Sequence, residues 1–158
     1  MSSPVLVVLE KGLAMPSSLE AMVERCHAAL GEIVRGNAEP WADLFSREGD
    51  ISLGNPFGSF ALGLDDVMSA ARKAAERYRD GEVTGLDRIA TYEAPDLACV
   101  VEVERFRARV GDSTDMSPVS LRVTSLYRAE SGEWKLVHRH ADPITTPRPA
   151  ESVVNSGR

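Results

Sequence analysis

The chain has few cysteines, few lysines and no long hydrophobic run. Its 158 residues include two cysteines, Cys26 and Cys99, each set among apolar neighbours. Free cysteine usually behaves as a small buried hydrophobic residue, so we interpret both as unpaired thiols rather than as a disulfide or a nucleophile. No apolar segment approaches the roughly 20 residues that a transmembrane helix needs. These absences argue against a disulfide-stabilised scaffold and against a membrane protein.

The first residues lack the features of a secretory signal. The apolar run 5–9 is short, no basic residue precedes it, and Glu10 follows it. A signal peptide begins with basic residues and has a longer apolar stretch. We therefore expect the protein to be cytoplasmic.

Excess positive charge is also lacking. The chain has 18 basic and 24 acidic residues, which gives a formal net charge of −6. A general nucleic-acid-binding protein gains its affinity by neutralising phosphates, so we expect no nucleic-acid partner. The 43% hydrophobic residues are enough to form a packed core, and the length corresponds to one domain.

The sequence divides into three segments. Residues 1–16 show no sustained hydrophobic period, and we expect a flexible N-terminal arm there. Residues 143–158 contain three prolines among serine, threonine and glycine, which is typical of a flexible C-terminal tail. The folded domain is therefore predicted to span residues 17–142.

Helical patterns occupy the first half of this domain. Apolar residues recur at three- and four-residue steps over 19–34, and Gly36 supplies a stop. Residues 39–45 predict a short helix with a proline in its first turn. A second long helix is predicted over 64–78, with Gly81 as its stop.

Strand patterns account for the rest of the domain. A short hairpin is predicted from 51–53 and 59–62, joined by the turn 55–58. Longer strands are predicted at about 84–93, 97–110, 118–129 and 133–142. This order indicates an α+β fold, in which a curved antiparallel or mixed β-sheet forms a cone with the helices packed on its concave face. Such a cone encloses a cavity suited to a small molecule.

Alternation along strand 97–110 singles out one carboxylate. Glu104 shares a face with Phe106, whereas three arginines lie on the opposite face: Arg105, Arg107 and Arg109. Glu104 is therefore predicted to point inward. A buried carboxylate often has a shifted pKa and a functional role, but a neighbouring donor that simply satisfies it is an equally good explanation.

The last strand contains two histidines that alternation places on one face. His138 and His140 are predicted to point the same way, opposite Arg139. A metal pair would need a third ligand such as Glu104 or Asp142, and since His-x-His alone is a weak signal we expect no metal. Two interpretations remain open: a general acid or base, and a histidine that is only hydrogen-bonded within the structure.

Four further residues are assigned by position. Ser125 falls on the apolar side of its strand and could supply a hydroxyl to a pocket, whereas Arg122 falls on the outer side. Trp41 and Phe45, in the short helix, could either cap the core or stack on a ligand. The sequence has no glycine-rich phosphate loop, nucleophile elbow, CxxC motif or zinc-protease spacing, so we expect no cofactor.

Three segments carry a resemblance to a known family: 41–50, 55–58 and 121–142, the last ending in Gly-x-Trp-Lys-x-Val-His-x-His. Over about 17–142 the chain resembles the SnoaL-like branch of the nuclear transport factor 2-like superfamily. The final strand also resembles the association domain of calcium/calmodulin-dependent kinase. The resemblance implies an α+β cone and, usually, a homodimer through the outer sheet face. It implies no single activity, because relatives include isomerases, polyketide cyclases, dehydratases, scaffolds and non-catalytic binders.

The chain departs from ketosteroid isomerase, a relative with a defined mechanism. That enzyme carries a proton-shuttling aspartate just before a proline, where this chain has Asn55 before Pro56. An amide cannot accept and return a proton at neutral pH. The tyrosine of that enzyme's first helix is also unmatched, since its position falls near Ala29. Steroid isomerase chemistry is therefore not expected.

Two functional hypotheses follow. In the first, the apolar cavity binds a small hydrophobic or carbonyl-bearing organic ligand. If this protein is an enzyme, it isomerises, cyclises or dehydrates that ligand by proton transfer at carbon. His140 or His138 would be the base, Glu104 its partner, and Asn55 and Ser125 donors to an enolate oxygen.

In the second hypothesis, the domain is a non-catalytic ligand-binding or association module. A buried Glu104 bonded to a histidine at an open cavity would favour the enzyme. A closed cavity, or both histidines lying in a subunit contact, would favour the module.

Overall fold

The computed structural model describes residues 18–155. Its helices are α1 (Leu19–Ile33), α2 (Glu39–Ala42) and α3 (Leu64–Ala75), with a 3-10 helix at Ala150–Val153 near the end. The predicted N-terminal arm lies outside the described residues. The described part of the C-terminal segment is exposed throughout, and its flexibility stays a prediction. None of the helices within 18–155 is long and apolar enough to cross a membrane.

Six strands form one mixed sheet. They are β1 (Ser52–Gly54), β2 (Ala61–Leu62), β3 (Tyr78–Glu93), β4 (Leu97–Val110), β5 (Met116–Glu130) and β6 (Glu133–Asp142). The strand order is β2-β1-β6-β5-β4-β3, and neighbours are antiparallel except for β1 and β6, which are parallel. The helices pack on one face, called here the inner face, and the opposite face is the outer face. The predicted α+β fold is confirmed.

Helix α1 supplies much of the core on the inner face. The hydroxyl of Ser18 accepts a hydrogen bond from the Ala21 amide at 3.1 Å and so caps the first turn. Gly36 has a φ of +97°, the left-handed conformation that ends a helix. The buried stripe is apolar: Leu19, Met22, Val23, Ala29 and Leu30. Burial of each large side chain contributes about 1.5–3 kcal/mol and fixes the helix over the sheet.

The prediction for the end of α3 was wrong. The helix stops at Ala75, Tyr78 begins β3, and Gly81 lies inside that strand. The Gly81 amide donates to the carbonyl of Val34 at 3.0 Å. A Cβ at Gly81 would lie 2.5 Å from that oxygen, so the glycine permits a close approach between β3 and the end of α1 rather than ending a helix.

A β-bulge interrupts the pairing of β5 with β6. Leu126 pairs with His138 and Tyr127 pairs with Leu136, which leaves Val137 as an extra residue. One extra residue exchanges the two faces of the strand beyond it. Arg139 and Ala141 therefore lie on the inner face, and the two histidines lie on the outer face.

Candidate functional site

A small cavity of about 50 Å³ lies between the helices and the inner face of the sheet. Its wall is mostly apolar and comes from α1, α2, α3, the 55–58 turn and five strands. Four side chains with polar atoms contribute to the wall: Trp41, Asn55, Tyr78 and Arg139. An apolar cavity with a few polar groups is the usual form of a small-molecule site, although such sites normally enclose about 300–1,000 Å³.

Arg139 and Glu104 form a buried ion pair at this cavity. Nη1 and Nη2 of Arg139 donate to Oε1 and Oε2 of Glu104 at 2.8 and 2.7 Å. The Glu104 side chain is 4% exposed and that of Arg139 is 12% exposed. Burial favours the neutral form of Arg139, but the charge of Glu104 and its hydrogen bonds outweigh this, so the pKa of the guanidinium is raised. Arg139 is therefore charged, and both oxygens of Glu104 accept hydrogen bonds from it.

The neighbouring inward carboxylate, Glu102, has its own cations. Its Oε2 lies 2.8 Å from Nε2 of His27 on α1 and 3.6 Å from Nε of Arg88 on β3. The hydrogen bond to Glu102 raises the pKa of His27, against the opposing effect of partial burial. Two buried carboxylates on one face of β4 thus each have a positive partner, as a low-dielectric interior requires.

Two aromatic side chains complete the polar part of the wall. The guanidinium carbon of Arg139 lies 5.7 Å from the ring centroid of Trp41, a cation–π contact. Burial raises the pKa of Tyr78 to about 12. At neutral pH the Tyr78 hydroxyl is therefore a hydrogen-bond donor and not a base.

The structure does not bring the predicted histidines to Glu104. Nδ1 of His138 and the Ser52 hydroxyl form a hydrogen bond of 2.7 Å. Nε2 of His140 lies 3.2 Å from Oδ2 of Asp142. Both line a shallow depression on the outer face together with Arg122. The predicted pairing of a histidine with Glu104 was wrong because the bulge at Val137 reverses the faces that simple alternation assigns.

The structure places two of the four predicted ligand-binding residues in the cavity wall and two outside it. Trp41 and Asn55 lie in the cavity wall. Phe45 is buried in the core, in edge-to-face contact with Trp41 at 4.7 Å, and is not part of the wall. Ser125 is buried on the inner face, paired in register with Arg139, and is also outside the wall. The side-chain oxygen of Asn55 accepts from the Phe57 amide at 2.9 Å, which stabilises the turn.

The two cysteines are free thiols. Burial raises the pKa of Cys26 to about 11, which makes it a poor nucleophile at neutral pH. Within residues 18–155, no group of three or more histidine, cysteine, aspartate or glutamate side chains is placed to hold a metal ion.

Sequence reasoning missed Arg139, Tyr78 and His27. Two signals for Arg139 were present. An inward Glu104 requires a positively charged partner. The last strand also contains two consecutive apolar residues, Leu136 and Val137, which breaks strict alternation. Tyr78 was hidden because an apolar residue after a helix fits either a helical or a strand period. His27 carried no separate signal, since one histidine on a helix does not reveal the strand residue that it faces.

The architecture is that of the nuclear transport factor 2-like class, as solved structures show. A ketosteroid isomerase-like protein from Erwinia carotovora atroseptica has a TM-score of 0.68, at 15% identity over 81% of this chain and 95% of that one. A candidate calcium/calmodulin-dependent protein kinase type II association domain from Thiobacillus denitrificans has a TM-score of 0.66, at 17% identity over 83% of this chain and 98% of that one. A nuclear transport factor 2-like superfamily protein from Salmonella enterica serovar Typhimurium has a TM-score of 0.64, at 12% identity over 92% and 98%. At these identities the likeness shows the fold alone.

The family follows from the sequence match. The chain belongs to the SnoaL-like domain family, which matches residues 19–145. The predicted resemblance is therefore confirmed. No curated protein matches the chain.

Proposed function

We propose that this domain is a ligand-binding module whose cavity holds a small organic molecule with a carbonyl group, and that Arg139 is the anchor for the carbonyl oxygen. An arginine side chain has five N–H donors. Glu104 uses two of them, and within the described residues the guanidinium makes no other hydrogen bond. Arg139 lines the cavity, so an acceptor that enters the cavity can form a charge-assisted hydrogen bond with its remaining donors. These remaining donors are the observation that carries the proposal.

Binding fits the cavity better than proton transfer at carbon does. The titratable groups in the wall are Tyr78 and Arg139, and neither is a base at neutral pH. Both oxygens of Glu104 accept hydrogen bonds from Arg139, and Glu104 does not line the cavity. The roles proposed from sequence for His138 and His140 would require them on the inner face.

Calorimetric titration with butyrophenone, an aromatic ketone, tests the proposal. Replacing the pair by apolar side chains of similar size, Arg139→Met with Glu104→Leu, removes the donors without leaving a lone buried charge. We expect the ketone to bind the wild type and to bind the double variant at least ~10-fold more weakly, the equivalent of one lost charged hydrogen bond.

The matched control uses the same two substitutions at an exposed pair. Nε of Arg72 lies 2.7 Å from Oε1 of Glu39, and both side chains are more than half exposed. Arg72→Met with Glu39→Leu is expected to leave ketone affinity unchanged. Equal affinity of the ketone for the wild type and the Arg139→Met/Glu104→Leu variant would refute Arg139 as the anchor.

Two wider expectations belong to the same proposal. Two copies of the chain pair through the outer face, which places both histidines in or beside the contact. The cytoplasm is the expected compartment, and the two free thiols are consistent with it.

A further inference from the structure

The interior cavity is separated from a larger outer groove by a thin wall. The groove encloses about 370 Å³ between the turn after β1 and helix α3. Three residues line both spaces: Asn55, Phe57 and Ala74. A water molecule occupies about 30 Å³ in the liquid, so the cavity of about 50 Å³ must open further to admit the ligand proposed above. The two spaces together fall within the usual range for a ligand site.

Phe57 is the large side chain in this wall. On the groove side, the guanidinium carbon of Arg77 lies 4.9 Å from its ring centroid. On the cavity side, the ring of Tyr78 lies 5.6 Å from it in a tilted arrangement. Phe57 is only half-buried, at the edge of the core, and stands on a four-residue turn, so its ring can move without displacing a helix or a strand.

The groove carries a net positive charge beside this ring. Lys73 and Arg77 line it, and neither forms an ion pair within residues 18–155. One exposed carboxylate, Asp66, also lines the groove and leaves one cation in excess. An unpaired guanidinium stacked on an aromatic ring is free to turn toward an anion, because a charge-assisted hydrogen bond is stronger than an exposed cation–π contact.

We propose that Phe57 is a gate between the groove and the cavity, and that the ligand is an organic acid that also carries a carbonyl group. Its carboxylate binds Arg77 and Lys73 at the mouth and draws Arg77 away from the Phe57 ring. The ring then moves aside, and the apolar body passes inward until the carbonyl reaches Arg139. This inference rests on the proposed function of the cavity, and adds the acidic group, the route and the gate.

Two probes separate the carboxylate from the carbonyl. Benzoylpropionate has both groups, whereas butyrophenone has the same aryl ketone without the acid. We expect the wild type to bind benzoylpropionate about 10-fold more tightly than butyrophenone, as one added charge-assisted contact predicts. Arg77→Gln is expected to reduce this difference, because Lys73 alone then binds the carboxylate, and to affect butyrophenone, which lacks the acid, less than benzoylpropionate.

Arg25→Gln is the matched control, because Arg25 is an exposed cation on α1 that lines neither the groove nor the cavity. It is expected to preserve the preference for the acid. Equal losses in the Arg25 and Arg77 variants would overturn the proposed carboxylate site, since net charge alone would then explain the effect. The proposed function would still stand if butyrophenone bound the wild type.

The gate is tested by rates. Phe57→Ala joins the two spaces permanently, so both probes are expected to associate at least ~10-fold faster by stopped-flow fluorescence, as when binding no longer waits for a conformational change. Circular dichroism checks that the variant is folded. An unchanged association rate in the folded variant would overturn the gate. Failure of both probes to bind the wild type and Phe57→Ala alike would instead refute the proposed function.

Discussion

At the scale of single residues, the pair of His27 and Glu102 makes stability depend on pH. Nε2 of His27 lies 2.8 Å from Oε2 of Glu102, and the His27 side chain is 22% exposed. The hydrogen bond to Glu102 is the largest effect and raises the pKa of His27. Two other charged groups act on the imidazole: Glu104 raises its pKa and Arg88 lowers it. The net result is a raised pKa. The folded protein therefore holds a proton on His27 more tightly than the unfolded chain does.

The sign of the effect follows from linkage. Because the folded pKa is above the unfolded value of about 6.5, the stabilisation is complete below about pH 6.5 and is lost as the pH rises through the folded pKa. His27→Gln is expected to lower the free energy of unfolding by about 1.5 kcal/mol at mildly acidic pH and by less at alkaline pH. Urea unfolding at a series of pH values measures this difference.

His138 provides a control of opposite sign. Burial, followed by the nearby His140, lowers the pKa of His138. The unfolded chain then binds the proton more readily, so His138 lowers stability as the pH falls. His138→Gln is therefore expected to gain stability relative to the wild type at acidic pH. Parallel pH profiles for the His27 and His138 variants would contradict this assignment of charges.

At the scale of elements, the contact between β3 and the end of α1 depends on one missing side chain. A Cβ added at Gly81 would lie 2.5 Å from the carbonyl oxygen of Val34 and 2.6 Å from its Cβ. Neither atom is the flexible end of a side chain, so the backbone would have to shift. Gly81→Ala is expected to lower the free energy of unfolding by about 1–3 kcal/mol, the usual effect of overpacking.

Gly85 is the matched control on the same strand. The nearest atom to a Cβ at Gly85 is the Cβ of Arg105 at 3.8 Å, an ordinary contact. Gly85→Ala is therefore expected to be neutral or slightly stabilising in the same urea titration. If Gly81→Ala were equally well tolerated, the close approach of β3 to α1 would not be needed for stability.

The strands also show how far sequence reasoning reaches. Strands β4 and β6 have the predicted bounds, because long alternating patterns with turn residues at both ends specify a strand well. Glu104 is inward as alternation in β4 predicts. The same rule fails in β6, because the extra residue at Val137 is a property of pairing with β5 and not of β6 alone. The fold was therefore predictable, whereas the cation of the site was assigned to the wrong face.

At the scale of the whole molecule, the outer face has the composition of a contact surface. Residues paired in register across β3, β4 and β5 place apolar or small side chains at its centre: Ala90, Cys99, Val101, Thr124 and Leu126. Exposed large side chains extend it, Tyr92 at one end and Phe60 with Leu62 at the other. Ion pairs such as Arg122 with Asp142 and Arg105 with Asp87 lie beside this centre. An apolar centre bordered by charges is typical of an interface between subunits.

This surface leads to an expected dimer with a defined point of weakness. Val101 pairs in register with Ala90 and Thr124, and a lysine at that position would place an unpaired charge in the buried centre of the contact. We expect the wild type to have twice the 17.1 kDa chain mass by light scattering at micromolar concentration, and Val101→Lys to have the mass of one chain. Val153→Lys makes the same chemical change outside the proposed contact, at a site that is 86% exposed on the 3-10 helix, and this variant should remain a dimer.

Val101 lies on the face opposite the cavity, so the monomeric variant should still bind butyrophenone. A loss of both properties together would mean that pairing of the subunits shapes the cavity. A wild type that stays monomeric at micromolar concentration would refute the interface.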